Sequence, residues 1–186
     1  MIQSILTTQS WMDAKTWQAE QANQVDAIKT HVLLVTTSLT RFLERKYGLK
    51  LDVYLHDQGV AYANETEAEL LGISATERCL RRKVSLMSRN EVMFDAESVL
   101  PLDMLPVELM QELEAGKRPL ADLLSDRGLS LYRSNLSVAH VQEEGYYHHC
   151  WARRSVLRSE SGARALVTEV FHDSIWRKLN YRMSKA

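Results

Sequence analysis

Cys79-Leu80-Arg81-Arg82-Lys83-Val84-Ser85-Leu86-Met87-Ser88, then Arg89-Asn90, then Glu91-Val92-Met93-Phe94-Asp95-Ala96-Glu97-Ser98-Val99-Leu100-Pro101, is the stretch that decides the fold. It reads as two strands, Cys79 to Ser88 and Glu91 to Leu100, joined by a tight hairpin, because asparagine tolerates the positive φ such a turn needs. Side chains alternate along a strand. Arg82 therefore shares a face with Val84 and Leu86, and Arg81, Lys83 and Ser85 are expected on the solvent face. In the second strand Val92, Phe94, Ala96, Ser98 and Leu100 form one face, with Glu91, Met93, Asp95 and Glu97 on the other, the acids expected outward. An arginine on the apolar face needs an anion, either a carboxylate from the fold or an anionic ligand. The same pattern recurs at Ala165-Leu166-Val167-Thr168-Glu169-Val170-Phe171, where an acid sits among strand formers. Arg82 and Glu169 together predict a pocket with one cationic and one acidic wall; the alternative is that they pair with each other as a buried bridge.

Outward from the hairpin, further strands are expected over Leu51 to Asp57, ending at Gly59, and over about Ser130 to Gln142, Cys150 to Arg158 and Ala163 to Phe171. Trp11 to Val35, free of Gly and Pro, reads as helix. A short helix starts near Leu39 after the cap candidates Thr36-Thr37-Ser38 and stops at Gly48. Pro106 to Leu113 and Pro119 to Leu124 read as two more, each with proline at its first turn. Asn64 to Thr76 reads as a polar connection, and Ile175 to Ala186 as an amphipathic tail. Short turns between strands favour an antiparallel sheet, so the fold class is α+β: a single domain over 1–186 with helices flanking the sheet.

The 186 residues suit one domain, and 45% hydrophobic with 25% charged residues is an ordinary globular balance. Twenty-three Lys+Arg against 24 Asp+Glu give a net charge of -1, which removes any general attraction to nucleic acid or anionic lipid and points to a small-molecule partner. No apolar run reaches membrane-spanning length and the N-terminus lacks a secretion-signal pattern, so a cytoplasmic protein is expected. Cys79 and Cys150 are expected to be reduced. No phosphate loop, nucleophile elbow or Cys-x-x-Cys is present. Tyr146-Tyr147-His148-His149-Cys150 is the nearest approach to a metal motif, but on a strand its neighbours would point to opposite faces. No metal and no cofactor are expected.

Several blocks, in order, carry a resemblance. They are Leu80-Arg81-Arg82 leading to Ser98-Val99-Leu100-Pro101, Gly116-Lys117-Arg118-Pro119-Leu120, Trp151-Ala152-Arg153-Arg154-Ser155 and Leu166-Val167-Thr168-Glu169-Val170-Phe171, preceded by Thr37-Ser38-Leu39-Thr40 and Phe42. Spanning roughly residues 30–172, they resemble the chorismate pyruvate-lyases, or 4-hydroxybenzoate synthases. The resemblance implies a cofactor-free lyase that converts chorismate to 4-hydroxybenzoate and pyruvate for ubiquinone synthesis, with the ligand in a closed internal cavity; a monomer is expected. It assigns Arg82 to the ring carboxylate, Glu169 to the ring hydroxyl opposite, and the backbone N–H groups of Leu39 and Leu120 to completing the carboxylate site. Independently of the resemblance, Leu39 and Leu120 open predicted helices, where free N–H groups bind anions. Arg153, on the face of Trp151 and Leu157, is a candidate for the second carboxylate of chorismate. Ala121, in place of a usual glycine, and Cys79, in place of a frequent tryptophan, depart from the family pattern. Three rival readings are a non-catalytic effector-sensing module of related fold, a degenerate, non-catalytic member of the lyase family, and an interaction protein using Trp11 and Trp17 as a contact surface.

Overall fold

The computed structural model describes residues 5–6, 10–126, 131–160 and 162–186. The hairpin is its centre. Strands β3 (Arg78–Ser88) and β4 (Glu91–Pro101) turn through Arg89 (φ 50°) and Asn90 (φ 67°), both left-handed as a two-residue hairpin demands. Around them lie β1 (Met12–Asp13), β2 (Asp52–Tyr62), β5 (Leu131–His140), β6 (Trp151–Ser159) and β7 (Arg164–Phe171). Every pairing is antiparallel and the order is β1-β5-β6-β7-β4-β3-β2. The α+β sheet with helices expected from the sequence is the fold observed; Ser130 lies outside the described residues.

One face of the sheet carries α1 (Ala14–Glu20), α2 (Ala27–Leu34), α3 (Leu39–Tyr47) and α7 (Asp173–Met183), whose Trp17, Leu33, Leu43, Ile175 and Leu179 pack on Leu86, Phe94 and Phe171. The same face carries α5 (Val107–Ala115) and α6 (Leu120–Asp126), seated on Leu80, Leu100, Leu157 and Val167. The opposite face is covered too. Helix α4 (Glu65–Leu71) buries Leu71 against Cys79, Val99, Val156 and Leu166, while Ile5, Leu6, Trp11 and Tyr147 pack against Ala152 and Val170.

That second cover overturns the expected solvent face. Arg81 and Ser85 are buried, as are Asp95 and Glu97. Arg81 donates to both Glu67 oxygens (3.0 and 2.6 Å) and to Glu97 Oε1 (2.9 Å), a buried cluster in which each charge has a partner. Asp95 accepts from Ser85 Oγ (2.5 Å) and Tyr147 Oη (2.8 Å) and lies 3.0 Å from His172 Nε2. Alternation separated the two faces correctly; polarity did not tell which was wet.

Three other expectations need correction. The helix read over Trp11 to Val35 is two helices with a 3-10 turn at Ala22–Gln24 between them, because Asp13 and Asp26 each cap a fresh start and Val25 is extended. Asn64 to Thr76 contains α4, set by a capping box in which Asn64 and Glu67 bond each other's backbone. The first strand does not stop at Gly59 but runs to Tyr62, with an irregularity between Leu55 and Asp57, which an edge strand accommodates. Cys79 and Cys150 are free thiols. Trp17 is buried, so it is no contact surface. The tail is amphipathic as expected, with Trp176 buried and Tyr181 exposed.

Candidate active site

Register places the ionisable residues. Arg82 faces Ser98 across β3 and β4, and Ser98 faces Val167 on β7. Two residues along, Val84, Ala96, Glu169 and Arg153 form the next row. Strand spacing and rise put the Arg82 and Glu169 Cα atoms about 12 Å apart on one face, so their side chains rise from the sheet on either side of a common space. Between them is a cavity of about 50 Å³ lined by Val84, Leu86, Phe94, Ala96, Leu157 and Val167, with Arg82, Arg133 and Glu169 as its charged members. Ser38, Leu39 and Thr40 from the start of α3 and Pro119, Leu120 and Ala121 from the start of α6 form its roof. All four residues assigned from the sequence, Leu39, Arg82, Leu120 and Glu169, therefore line one space.

Arg82 is 1% exposed, and its Nη2 donates to the Arg118 carbonyl (3.1 Å) in the loop before α6. That loop is shaped by Gly116, at φ +67°, where a Cβ would come within 2.9 Å of Leu55. Among the described residues no carboxylate pairs with Arg82, and its Nε has no hydrogen-bond partner. Burial without an acid brings the guanidinium down to about 10. The proposed bridge between Arg82 and Glu169 is absent. Arg82 is a buried cation facing an apolar space.

Glu169 is held differently. Arg153 grips it in fork geometry, Nε to Oε2 at 2.5 Å and Nη2 to Oε1 at 3.2 Å, and Arg133 Nη2 lies 3.6 Å from Oε1. Burial alone would raise its carboxyl, but the Arg153 and Arg133 charges outweigh burial and hold it below the usual carboxylate range. It is an anion at neutral pH. Arg153 spends its remaining Nη1 donors on the Val32 and Val35 carbonyls (3.2 and 2.7 Å), so it positions Glu169 and has no free edge for a second carboxylate. Arg154, on the opposite face, lies 4.6 Å over the Trp11 ring.

Sequence reasoning missed Arg133. It stands in Leu131-Tyr132-Arg133-Ser134, with no apolar alternation to mark a buried face, and β5 loses register between Ser134 and Ser137 at Asn135 (φ 52°). Its side chain is nonetheless 3% exposed. His148, His149 and Cys150 lie in the connection before β6 and not on a strand.

The roof is tied together at the surface. Ser38 Oγ donates to Asp122 (3.4 Å), Arg41 pairs with Asp122 (3.3 Å) and Asp126 (3.4 Å), and Arg118 pairs with Asp126. An outer hollow of about 320 Å³ beside Arg41 and Arg45 shares Ser38, Ala121 and Leu157 with the inner cavity, marking a route inward between α3 and α6.

Known proteins share the sequence pattern and the fold. The chorismate lyase family model matches residues 11–181. A protein named "probable chorismate pyruvate-lyase" from Methylococcus capsulatus is 32% identical over 143 residues, covering 72% of this chain and 88% of that protein. One of the same name from Pseudomonas syringae is 30% identical, covering 77% and 78%. In fold, the chain is similar to the effector domain of PhnF from Mycobacterium smegmatis, at 15% identity and a TM-score of 0.58 over 73% of this chain and 88% of that one. A GntR-family transcriptional regulator from Bacillus cereus is similar at 14% identity and a TM-score of 0.51, covering 65% and 90%.

Proposed function

Because this chain belongs to the chorismate lyase family, we propose that it splits chorismate into 4-hydroxybenzoate and pyruvate, without cofactor or metal, in the cavity between Arg82 and Glu169. The observation that carries this reading is Arg82, a fully buried guanidinium with no carboxylate partner among the described residues, lining a largely apolar cavity whose other charged end is Glu169. The ring carboxylate sits on Arg82 and takes further N–H donors from Leu39 and Leu120, the first residues of α3 and α6, whose amides lack intrahelical partners. Glu169, an anion at the other end, accepts a hydrogen bond from the ring hydroxyl. Its lowered proton affinity supports the acceptor role over that of general base.

The reaction asks little of acid or base groups. The ring–oxygen bond to the enolpyruvyl group breaks, the hydroxyl-bearing ring carbon loses its proton, and the enolpyruvyl methylene gains one to give pyruvate. Aromatisation drives it, and holding the substrate in a reactive conformer supplies on the order of 7–11 kcal/mol in favourable systems. The wider reading is of one domain over residues 1–186, acting as a cytoplasmic monomer that supplies 4-hydroxybenzoate to ubiquinone synthesis. Its near-neutral charge accords with a small-molecule partner and no nucleic acid, and no described helix is long and apolar enough to cross a membrane.

The test is to incubate purified protein with chorismate and nothing else. Equal amounts of 4-hydroxybenzoate and pyruvate are expected. Tight 4-hydroxybenzoate binding with no turnover would replace the lyase by a ligand-sensing module.

A further inference from the structure

We infer that Arg133 is the substrate-binding residue for the second, enolpyruvyl carboxylate of chorismate, and so the residue that distinguishes substrate from product. The inference rests on the lyase reading and adds a specificity determinant to it.

Charge is the first argument. Three guanidinium groups, Arg82, Arg133 and Arg153, meet one carboxylate, Glu169, at the cavity. Arg153 and Glu169 satisfy each other in a fork. Arg133 reaches the same carboxylate only at 3.6 Å, so three cations share one anion and the cluster keeps an excess of two positive charges, with Arg82 unpaired and Arg133 only partly compensated. Burying uncompensated charge is expensive, and a dianion offsets both costs where a monoanion offsets one. Burial brings the Arg133 guanidinium down to about 10, as it does Arg82; the Glu169 charge opposes that fall and the neighbouring Arg153 charge adds to it. Chorismate carries two carboxylates; 4-hydroxybenzoate carries one.

Position is the second argument. Arg133 lines the inner cavity, while its Nε donates to the carbonyl of Thr37 (3.4 Å), a residue of the outer hollow. It stands where the two spaces meet. Nη1 is anchored on Ser155 Oγ at 2.8 Å, and Nη2, 3.6 Å from Glu169, is beyond hydrogen-bond length. A substrate with its ring carboxylate on Arg82 and its hydroxyl on Glu169 directs its side arm, borne on the ring carbon next to the hydroxyl, toward this corner.

The test compares Arg133→Gln and Arg133→Lys with the wild-type protein in two measurements: KM for chorismate and the dissociation constant of 4-hydroxybenzoate. Losing a charge-assisted contact made only by the substrate raises KM for chorismate about 10- to 100-fold in Arg133→Gln. Binding of 4-hydroxybenzoate changes by less than about threefold, which also reports an intact fold. Arg133→Lys recovers part of the loss. Equal weakening of both ligands would make Arg133 a mere support for Glu169 and overturn the assignment, as would an unchanged KM. If the wild-type protein turns nothing over, the lyase reading falls by itself, and calorimetry with chorismate then decides: a selective loss in Arg133→Gln keeps the assignment, an equal loss or no chorismate binding ends it.

Discussion

Adjacent arginines in one strand do opposite work here. Arg81 is neutralised by Glu67 and Glu97 beneath α4, and Arg82 is left with a backbone carbonyl above a cavity. Arg81→Ala should take from Glu67 and Glu97 the buried cation they share and cost about 3–5 kcal/mol of stability. Arg82→Leu removes a buried cation that the ligand-free fold does not compensate, so its melting temperature should equal or exceed that of the wild type. Its chorismate activity should fall about 10- to 100-fold or more, as the carboxylate contact is lost. Thermal melts and kcat/KM on the pair check both halves; equal activity losses with equal stability would remove the distinction. Glu169 gives a pH signature of known sign. Its carboxyl is depressed in the folded protein, so its stabilisation is complete above the unfolded value of about 4.3 and is lost as pH falls through the folded value. Melts between about pH 5 and pH 3 should therefore fall less steeply in Glu169→Gln than in the wild type, although the variant starts lower because Arg153 and Arg133 lose their anion.

At the scale of elements, the roof over the cavity is two helix starts held by exposed ion pairs. A cavity of about 50 Å³ holds a few water molecules, less than an aromatic acid needs, so binding must part α3 from α6. Asp122→Asn with Asp126→Asn removes the ion pairs to Arg41 and Arg118. Exposed pairs contribute only about 0–1 kcal/mol each, so the melting temperature should barely move. The dissociation rate of 4-hydroxybenzoate, followed by stopped-flow, should rise, and added salt should raise it in the wild type; an unchanged rate would assign the gate elsewhere. These elements were largely legible. Gly48, Gly116, Pro106 and Pro119 punctuate the chain where helices begin and end, and Arg89-Asn90 marked the hairpin. The breaks that aspartate caps impose near Val25, and the short helix started by Asn64 and Glu67, were not, since such caps act through side-chain geometry that composition does not reveal.

For the whole molecule, a sheet covered on both faces explains what was readable and what was not. Alternation put Arg82 on the cavity face and, with Glu169 among strand formers, marked two of the charged residues that line the cavity. It misjudged Arg81, Asp95 and Glu97, because a charged residue covered by α4, or by Tyr147 and His172, looks in sequence like one under water. Arg133 escaped because its burial comes from Thr37, Ser155 and Glu169, which are remote in the chain. The cavity exists because seven strands bring β3, β5 and β7 to one surface and two helix starts close over it. The most direct measurement of that arrangement is a crystal structure of the protein with 4-hydroxybenzoate. The ligand carboxylate is predicted about 3 Å from the Arg82 guanidinium and the amides of Leu39 and Leu120, with its hydroxyl at Glu169. A ligand found reversed, or seated outside the space between these two residues, would contradict the account.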